Sequence, residues 1–184
     1  MRGLKDKVII LTGAAGGLGQ AIATRLINEQ ACPVLVDHNQ NALLKLTENQ
    51  VFNNSLCLNG DITDPDFIAT IMTEAVEKFG KIDGLVNSAA LLLPEDGDIA
   101  QTPLTCWLKT METNLTSVFL TCQAALPHLE EQGGAIVNLS SVVAHAASAT
   151  SQIAYTAANG RVEALTTEVA IRHARHNLRA NCVA

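Results

Sequence analysis

Thr12-Gly13-Ala14-Ala15-Gly16-Gly17-Leu18-Gly19 decides how the rest of this chain is read. Before it, Lys7-Val8-Ile9-Ile10-Leu11-Thr12 is a continuous apolar run, the pattern of a strand covered on both faces. After it, Leu18, Ile22 and Leu26 recur at helical spacing. Glycine reaches backbone angles that a Cβ forbids and lets an anion come close to the main chain. The helix that follows turns unpaired N–H groups and the positive end of its dipole toward that anion. Gly13, Gly17 and Gly19 form a G-x-x-x-G-x-G spacing, with Gly16 beside them. A flexible loop alone could look the same, but between a buried strand and an amphipathic helix the turn predicts a diphosphate cradle.

Outward from the turn, strand and helix patterns alternate. Further strands are predicted over 33–37, 55–58, 82–86, 135–139 and 178–183, the fifth preceded by the Gly133-Gly134 break. Asn39 caps a helix through Leu43 and Leu46, and Asp64-Pro65 opens another along Phe67, Ile71 and Ala75. Thr102-Pro103 opens one long helix through Met111, Leu115 and Val118, and a last helix covers roughly 153–173. Such alternation implies right-handed crossovers and a parallel sheet. The expected fold is α/β: a Rossmann-like, doubly wound sheet with helices on both faces, as one nucleotide-binding domain over 1–184. Its ligand crevice lies beyond the carboxyl ends of the strands.

Composition narrows the function. Of 184 residues, 48% are apolar and 16% charged, which excludes general disorder. A net charge of −6 without a basic cluster would repel a nucleic-acid backbone, so no such partner is expected. The apolar run at residues 8–11 is too short to span a membrane. Cys32, Cys57, Cys106, Cys122 and Cys182 are scattered, without CxxC spacing. They read as buried apolar fillers in a reducing, cytoplasmic location. His173 and His176 share a helix end but have no third ligand nearby in sequence, so no metal is expected.

Asp37 ends the second strand. A carboxylate there can accept hydrogen bonds from the adenosine ribose hydroxyls of NAD and would repel the 2′-phosphate of NADP. No Arg or Lys in the glycine turn or directly after Asp37 offsets that repulsion, so NAD is preferred. A helix-capping or solvated aspartate is the alternative.

With the fourth strand the chain comes to resemble the short-chain dehydrogenase/reductase family. The resemblance rests on an ordered series: T-G-x-x-x-G-x-G, Asp61-Ile62, Asn87-Ser88-Ala89-Ala90, Asn114, Asn138-Leu139-Ser140-Ser141, Tyr155, and the closing run from Arg179 to Ala184. It implies that Asp61 and Ile62 contact adenine, and that Asn87 and Ala89 line the nicotinamide-side ribose and support the central sheet. It further implies that Ser141 orients the substrate oxygen, that Tyr155 exchanges a proton with it, and that Asn114 holds a backbone kink and a water on the proton path. A small-molecule alcohol or ketone substrate and a homo-oligomer, dimer or tetramer, belong to the same expectation.

The chain departs from the family pattern in three places. Where the family has Y-x-x-x-K, this chain has Tyr155 and Asn159. Position 159 lies one helical turn on and projects beside Tyr155. An amide there can still hydrogen-bond the ribose but cannot supply the charge that a tyrosine base needs. Second, the resemblance implies further chain after Ala184: a Pro-Gly turn, a substrate-covering segment and a seventh strand. Its absence would leave the sixth strand as an exposed edge. Third, N-S-A-A replaces N-N-A-G, and Ser141 lies fourteen residues before Tyr155, one more than usual, so Ser140 stays a candidate for the functional hydroxyl. The loop over 91–102, with Glu95, Asp96 and Asp98, is expected to be solvated. An NAD-dependent oxidoreductase is the leading expectation. A non-catalytic NAD-binding module is the rival that Asn159 favours.

Overall fold

The structure, a computed structural model, describes residues 3–48, 52, 54–146 and 148–184. Strand β1 (Val8–Thr12) is buried along its whole length, as its unbroken apolar run requires. The turn follows, then α1 (Gly17–Asn28), β2 (Cys32–Asp37), α2 (Gln40–Thr47), β3 (Leu56–Asn59), α3 (Pro65–Phe79) and β4 (Gly84–Asn87). The second half runs through α4 (Leu104–Met111), a π-helical segment (Glu112–Thr116), α5 (Ser117–Gln132) and β5 (Ala135–Leu139). A 3-10 turn (Val142–Ala144), α6 (Ile153–His173), a second 3-10 turn (Ala174–His176) and β6 (Arg179–Val183) complete it.

The six strands pair in parallel in the order β3-β2-β1-β4-β5-β6. The order reverses between β1 and β4, so the loops leaving these two strands diverge and open a crevice at their carboxyl ends. On one face, Ile10, Val34, Leu85 and Ile136 pack with Ile71, Val118 and Leu129 of the covering helices. On the other, Leu11, Leu35 and Ala23 meet Leu43. The sheet is thus covered on both sides, as the alternation implied.

Two local expectations change. The long helix from Thr102-Pro103 is interrupted by the π segment, since one extra residue in the turn re-aims the side chains that follow. Of the five thiols, Cys106 and Cys122 are buried, but Cys32 and Cys182 are only partly so and Cys57 is exposed. Cys57 alternates outward on short β3, so periodicity rather than thiol character set its position.

At the opposite end of the sheet, Asp83 anchors the amino ends of β1 and β4. It takes the Lys7 ammonium at 2.7 Å, the Lys81 ammonium at 2.8 Å and the Val8 amide at 2.9 Å. Burial alone would raise its pKa, but these donors outweigh it, and the carboxyl titrates below the usual aspartate range. Because the folded pKa is the lower one, this stabilisation is complete above the unfolded value, near pH 4. It is lost as pH falls through the folded value. Asp83→Asn is expected to cost about 1–3 kcal/mol at neutral pH. Thermal melts should also show a shallower acid-side decline for the variant; parallel curves would contradict this.

Candidate active site

The glycine turn has the stereochemistry of an anion cradle. Gly13 sits at φ +66°, and a Cβ there would lie 2.7 Å from the Ala89 Cα. A Cβ on Gly19 would collide with the Gly13 carbonyl, so Gly19 lets α1 start directly against the turn. Gly16 is the N-cap of α1 and offers no side chain to it. Consequently the amides of Gly17, Leu18 and Gly19 have no acceptor among the described residues. Leu18 itself is 69% exposed, so what it offers a ligand is its backbone.

A cavity of about 380 Å³ adjoins this turn. It is walled by the exits of four strands: Gly13, Ala15 and Gly16 after β1, Asp37 to Asn39 after β2, Gly60 to Ile62 after β3, and Ser88 to Leu91 after β4. Asp37 is 7% exposed. One of its oxygens accepts from the Ala15 amide at 2.9 Å and the other from the Asn39 amide at 2.9 Å. The helix cap is Asn39, whose Oδ1 takes the Ala42 amide at 3.1 Å. Asp37 therefore ties the glycine turn to β2, and a carboxylate with about four acceptor sites keeps capacity for ribose hydroxyls. Asp61 accepts from the Thr63 amide at 2.9 Å and the Thr63 hydroxyl at 2.8 Å. The Thr63 amide, chiefly, holds its carboxyl below the usual range, against the opposing effect of burial. Lys109 lines the far wall and is paired with Glu112 at 2.9 Å, a contributor that the sequence reading did not identify. The free amides, the room that only glycine leaves and the carboxylate at 37 fit a nicotinamide dinucleotide.

Asn87 turns its side chain away from this cavity. Its amide donates to Asn138 Oδ1 at 2.9 Å and its carbonyl accepts from the Thr121 hydroxyl at 2.9 Å. Asn138 in turn donates to the Thr166 hydroxyl at 2.9 Å. This buried network bolts β4 and β5 to α5 and α6, and it is Ser88, Ala89 and Ala90 that reach the cavity. Burial pushes the adjoining Cys122 thiol up to about 12. The sequence marks Asn138 only as one member of the Asn138-Leu139-Ser140-Ser141 run and does not mark Thr121 or Thr166, because isolated polar residues in apolar segments carry no sign of their partners.

Helix α6 packs on both the π segment and the Val142–Ala144 turn, so the elements that carry Tyr155, Asn114 and Ser141 are neighbours. Asn114 lies in the π segment; its Oδ1 accepts from the Leu91 amide at 2.7 Å and its Nδ2 donates to the Leu91 carbonyl at 2.8 Å. The two serines separate clearly. Ser140 donates to Glu163 Oε1 at 2.8 Å, which also takes His145 Nε2 at 3.0 Å. Ser141 accepts weakly from the Val143 amide at 3.4 Å, and its hydroxyl hydrogen has no acceptor among the described residues. Tyr155 is half-buried in the first turn of α6. Asn159 is 5% exposed, and its Nδ2 folds back onto the Tyr155 carbonyl at 2.9 Å. That back-bond uses one of the two Nδ2 hydrogens, so what the side chain keeps for a ribose hydroxyl is the other hydrogen and Oδ1.

One expectation is overturned. Asp96, placed in a solvated loop, is 7% exposed. Its Oδ1 accepts from the Ala154 amide at 3.0 Å and its Oδ2 from the Tyr155 amide at 2.8 Å. The free amides at the start of α6 draw the carboxylate out of water. His173 and His176 both approach Glu130 Oε1, at 2.6 and 3.6 Å. The bond to His173 in particular holds that carboxyl below its usual range.

Comparison with known proteins agrees with this geometry. A sequence profile described as short chain dehydrogenase matches residues 7–184. L-fucose dehydrogenase of Mus musculus is 30% identical over 181 residues, 96% of this chain and 63% of its own. The chain thus spans less than two thirds of that relative. Cis-4-hydroxycyclohexanecarboxylate dehydrogenase of Sinomonas cyclohexanicum is 33% identical, across 97% of this chain and 72% of its own. A solved structure of NAD+-bound xylitol dehydrogenase superposes with a TM-score of 0.93 at 27% identity, covering 100% of this chain and 71% of the other. One profile thus covers residues 7–184, from the first strand to the sixth, and the chain belongs to the short-chain dehydrogenase family.

Proposed function

We propose that this chain is the nucleotide-binding and proton-handling part of an NAD-dependent oxidoreductase acting on a secondary alcohol or ketone. The observation that carries the proposal is the cavity at the strand exits, with free amides of α1 on one side and the buried Asp37 carboxylate on the other. The amides of Gly17, Leu18 and Gly19, with Gly13 and Gly16, would hold the diphosphate. Asp37 would hold the adenosine ribose, Asp61 and Ile62 the adenine, and Ala89 the ribose on the nicotinamide side. NAD is favoured over NADP because a 2′-phosphate would meet the Asp37 carboxylate.

The dinucleotide, when bound, supplies the hydride acceptor or donor. The residues of the chain handle the oxygen and its proton. Ser141, with its free hydroxyl, orients the substrate oxygen. Tyr155 takes the hydroxyl proton on its phenolic oxygen during alcohol oxidation and returns it during carbonyl reduction. Asn114 fixes Leu91 at the cavity wall, and in this proposal it serves the relay by which that proton reaches solvent. The names of the three proteins compared above, each a dehydrogenase of a small molecule by title, support a small-molecule substrate. A dimer or tetramer belongs to the same proposal, supported by the exposed Leu104 and Leu108 of α4 and Phe119 of α5.

Asn159 favours a second reading, a module that binds NAD without turning it over. Its side chain is neutral and already bonded to the Tyr155 carbonyl. Calorimetry with NAD and NADP, followed by rates on a panel of secondary alcohols, separates the readings. Heat with NAD and turnover support the enzyme, heat without turnover selects the module, and no heat from a folded sample removes both. Asp37→Ser is expected to weaken NAD by about tenfold, the loss of one charge-assisted hydrogen bond, and to narrow its margin over NADP. An unchanged ratio of the two affinities would remove Asp37 from the site.

A further inference from the structure

Helix α6 is 21 residues long and starts without a local cap. Its N-cap, Gln152, makes no side-chain bond to it, and its first turn contains no acid. The free amides are met instead by the segment over 91–97, which leaves β4. Asp96 takes the Ala154 and Tyr155 amides, and the Gly97 carbonyl takes the Ile153 amide at 3.1 Å and the Ser151 hydroxyl at 3.1 Å. Thr102 braces the corner, accepting from the Gly97 amide at 2.9 Å. The other end of the same segment is gripped at Leu91 by both polar atoms of Asn114.

We propose that Asp96 is a positioning residue for Tyr155, and that the segment over 91–97 is a strap registering the α6 start against the π segment that carries Asn114. The proposal rests on the reading of Tyr155 as the acid/base. One continuous tether then runs from Asn114 through Leu91 and Asp96 to the Tyr155 backbone. Neither end is set by its own helix alone. The Asn114 end is a π turn, and the Tyr155 end is a helix start with no cap of its own. Both oxygens of Asp96 are committed to amides, so an isosteric amide in its place presents a donor where an acceptor is required.

Tyr155 is the only tyrosine in the chain, so labelling the full chain with 3-fluorotyrosine yields one fluorine resonance that reports its ring. Asp96→Asn is expected to shift or broaden that resonance and to speed hydrogen exchange at the Ala154 and Tyr155 amides. Affinity for NAD should stay within about twofold, and any alcohol turnover should fall about ten- to a hundredfold, as misplacement of a reacting group does. Adding Gln152→Asp supplies a local cap without the strap. The double variant is expected to regain thermal stability but not the original resonance.

Three results would overturn the proposal: an unchanged resonance in folded Asp96→Asn; joint recovery of stability and resonance in the double variant, which would make Asp96 a cap only; or fast exchange at both amides in the unsubstituted chain. That last measurement holds even if Asp96→Asn alone does not fold. A displaced resonance in a chain that never oxidises an alcohol would leave the strap standing and remove the acid/base reading.

Discussion

Asn159→Lys is expected to raise turnover of secondary alcohols by about tenfold to a thousandfold, the equivalent of a nearby opposite charge moving an ionisation by about 1–3 units. Position 159 lies one turn beyond Tyr155 on the same face of α6, the spacing at which side chains on a helix meet. The lysine would lose the bond that Asn159 now makes to the Tyr155 carbonyl. Its ammonium would gain reach toward the phenolic oxygen and would favour the deprotonated base. The gain should therefore concentrate on the acid side of the pH–rate profile. Glu163 is the competitor for that ammonium: it lies one further turn along, with Oε1 already bonded to Ser140 and His145. Asn159→Lys combined with Glu163→Gln removes the competitor. Initial rates on an alcohol panel at saturating NAD are the measurement. If neither variant exceeds the natural chain at any pH, proton transfer through Tyr155 is the wrong mechanism.

Gly19→Ala is expected to weaken NAD by about a hundredfold or more, about 2.7 kcal/mol. It should also destabilise the fold by about 1–3 kcal/mol, as overpacking does. The added methyl would collide with the Gly13 carbonyl oxygen and crowd the Gly13 and Ala14 carbonyl carbons, all backbone atoms that cannot rotate aside. The turn would have to open, and the first amides of α1 would lose their common aim. Gly17→Ala is the control for stability. A Cβ there meets nothing within 4 Å and sits at the first position of α1, where alanine is well tolerated. Its melting temperature should hold even if the methyl obstructs a diphosphate. Thermal melts with calorimetry on both variants check the pair. If Gly19→Ala bound NAD as tightly as the natural chain, the turn would not be the cradle.

Much of the fold was legible because its signals are contiguous. The buried run of β1, the glycine spacing and the caps at Asn39 and Asp64 each lie within a few residues of what they control. Strand boundaries shifted by a residue or two, as at β3 and β4, because pairing with a neighbour decides where a ladder ends. The π segment was hidden within a helical pattern, since one added residue barely disturbs apolar periodicity.

The site divides along the same line. Local chemistry by itself determined where a diphosphate could be held, which carboxylate follows β2, and that a neutral side chain stands one turn from Tyr155, because these are properties of neighbouring residues. Tertiary structure alone committed the Ser140 hydroxyl to Glu163 while leaving that of Ser141 without an acceptor among the described residues, turned Asn87 into a buried network, and drew Asp96 out of solvent onto a helix start fifty-eight residues away. The physical reason is that a polar group's meaning depends on its partner. Donors and acceptors that meet only when strands pair and helices dock leave no trace in the order of residues.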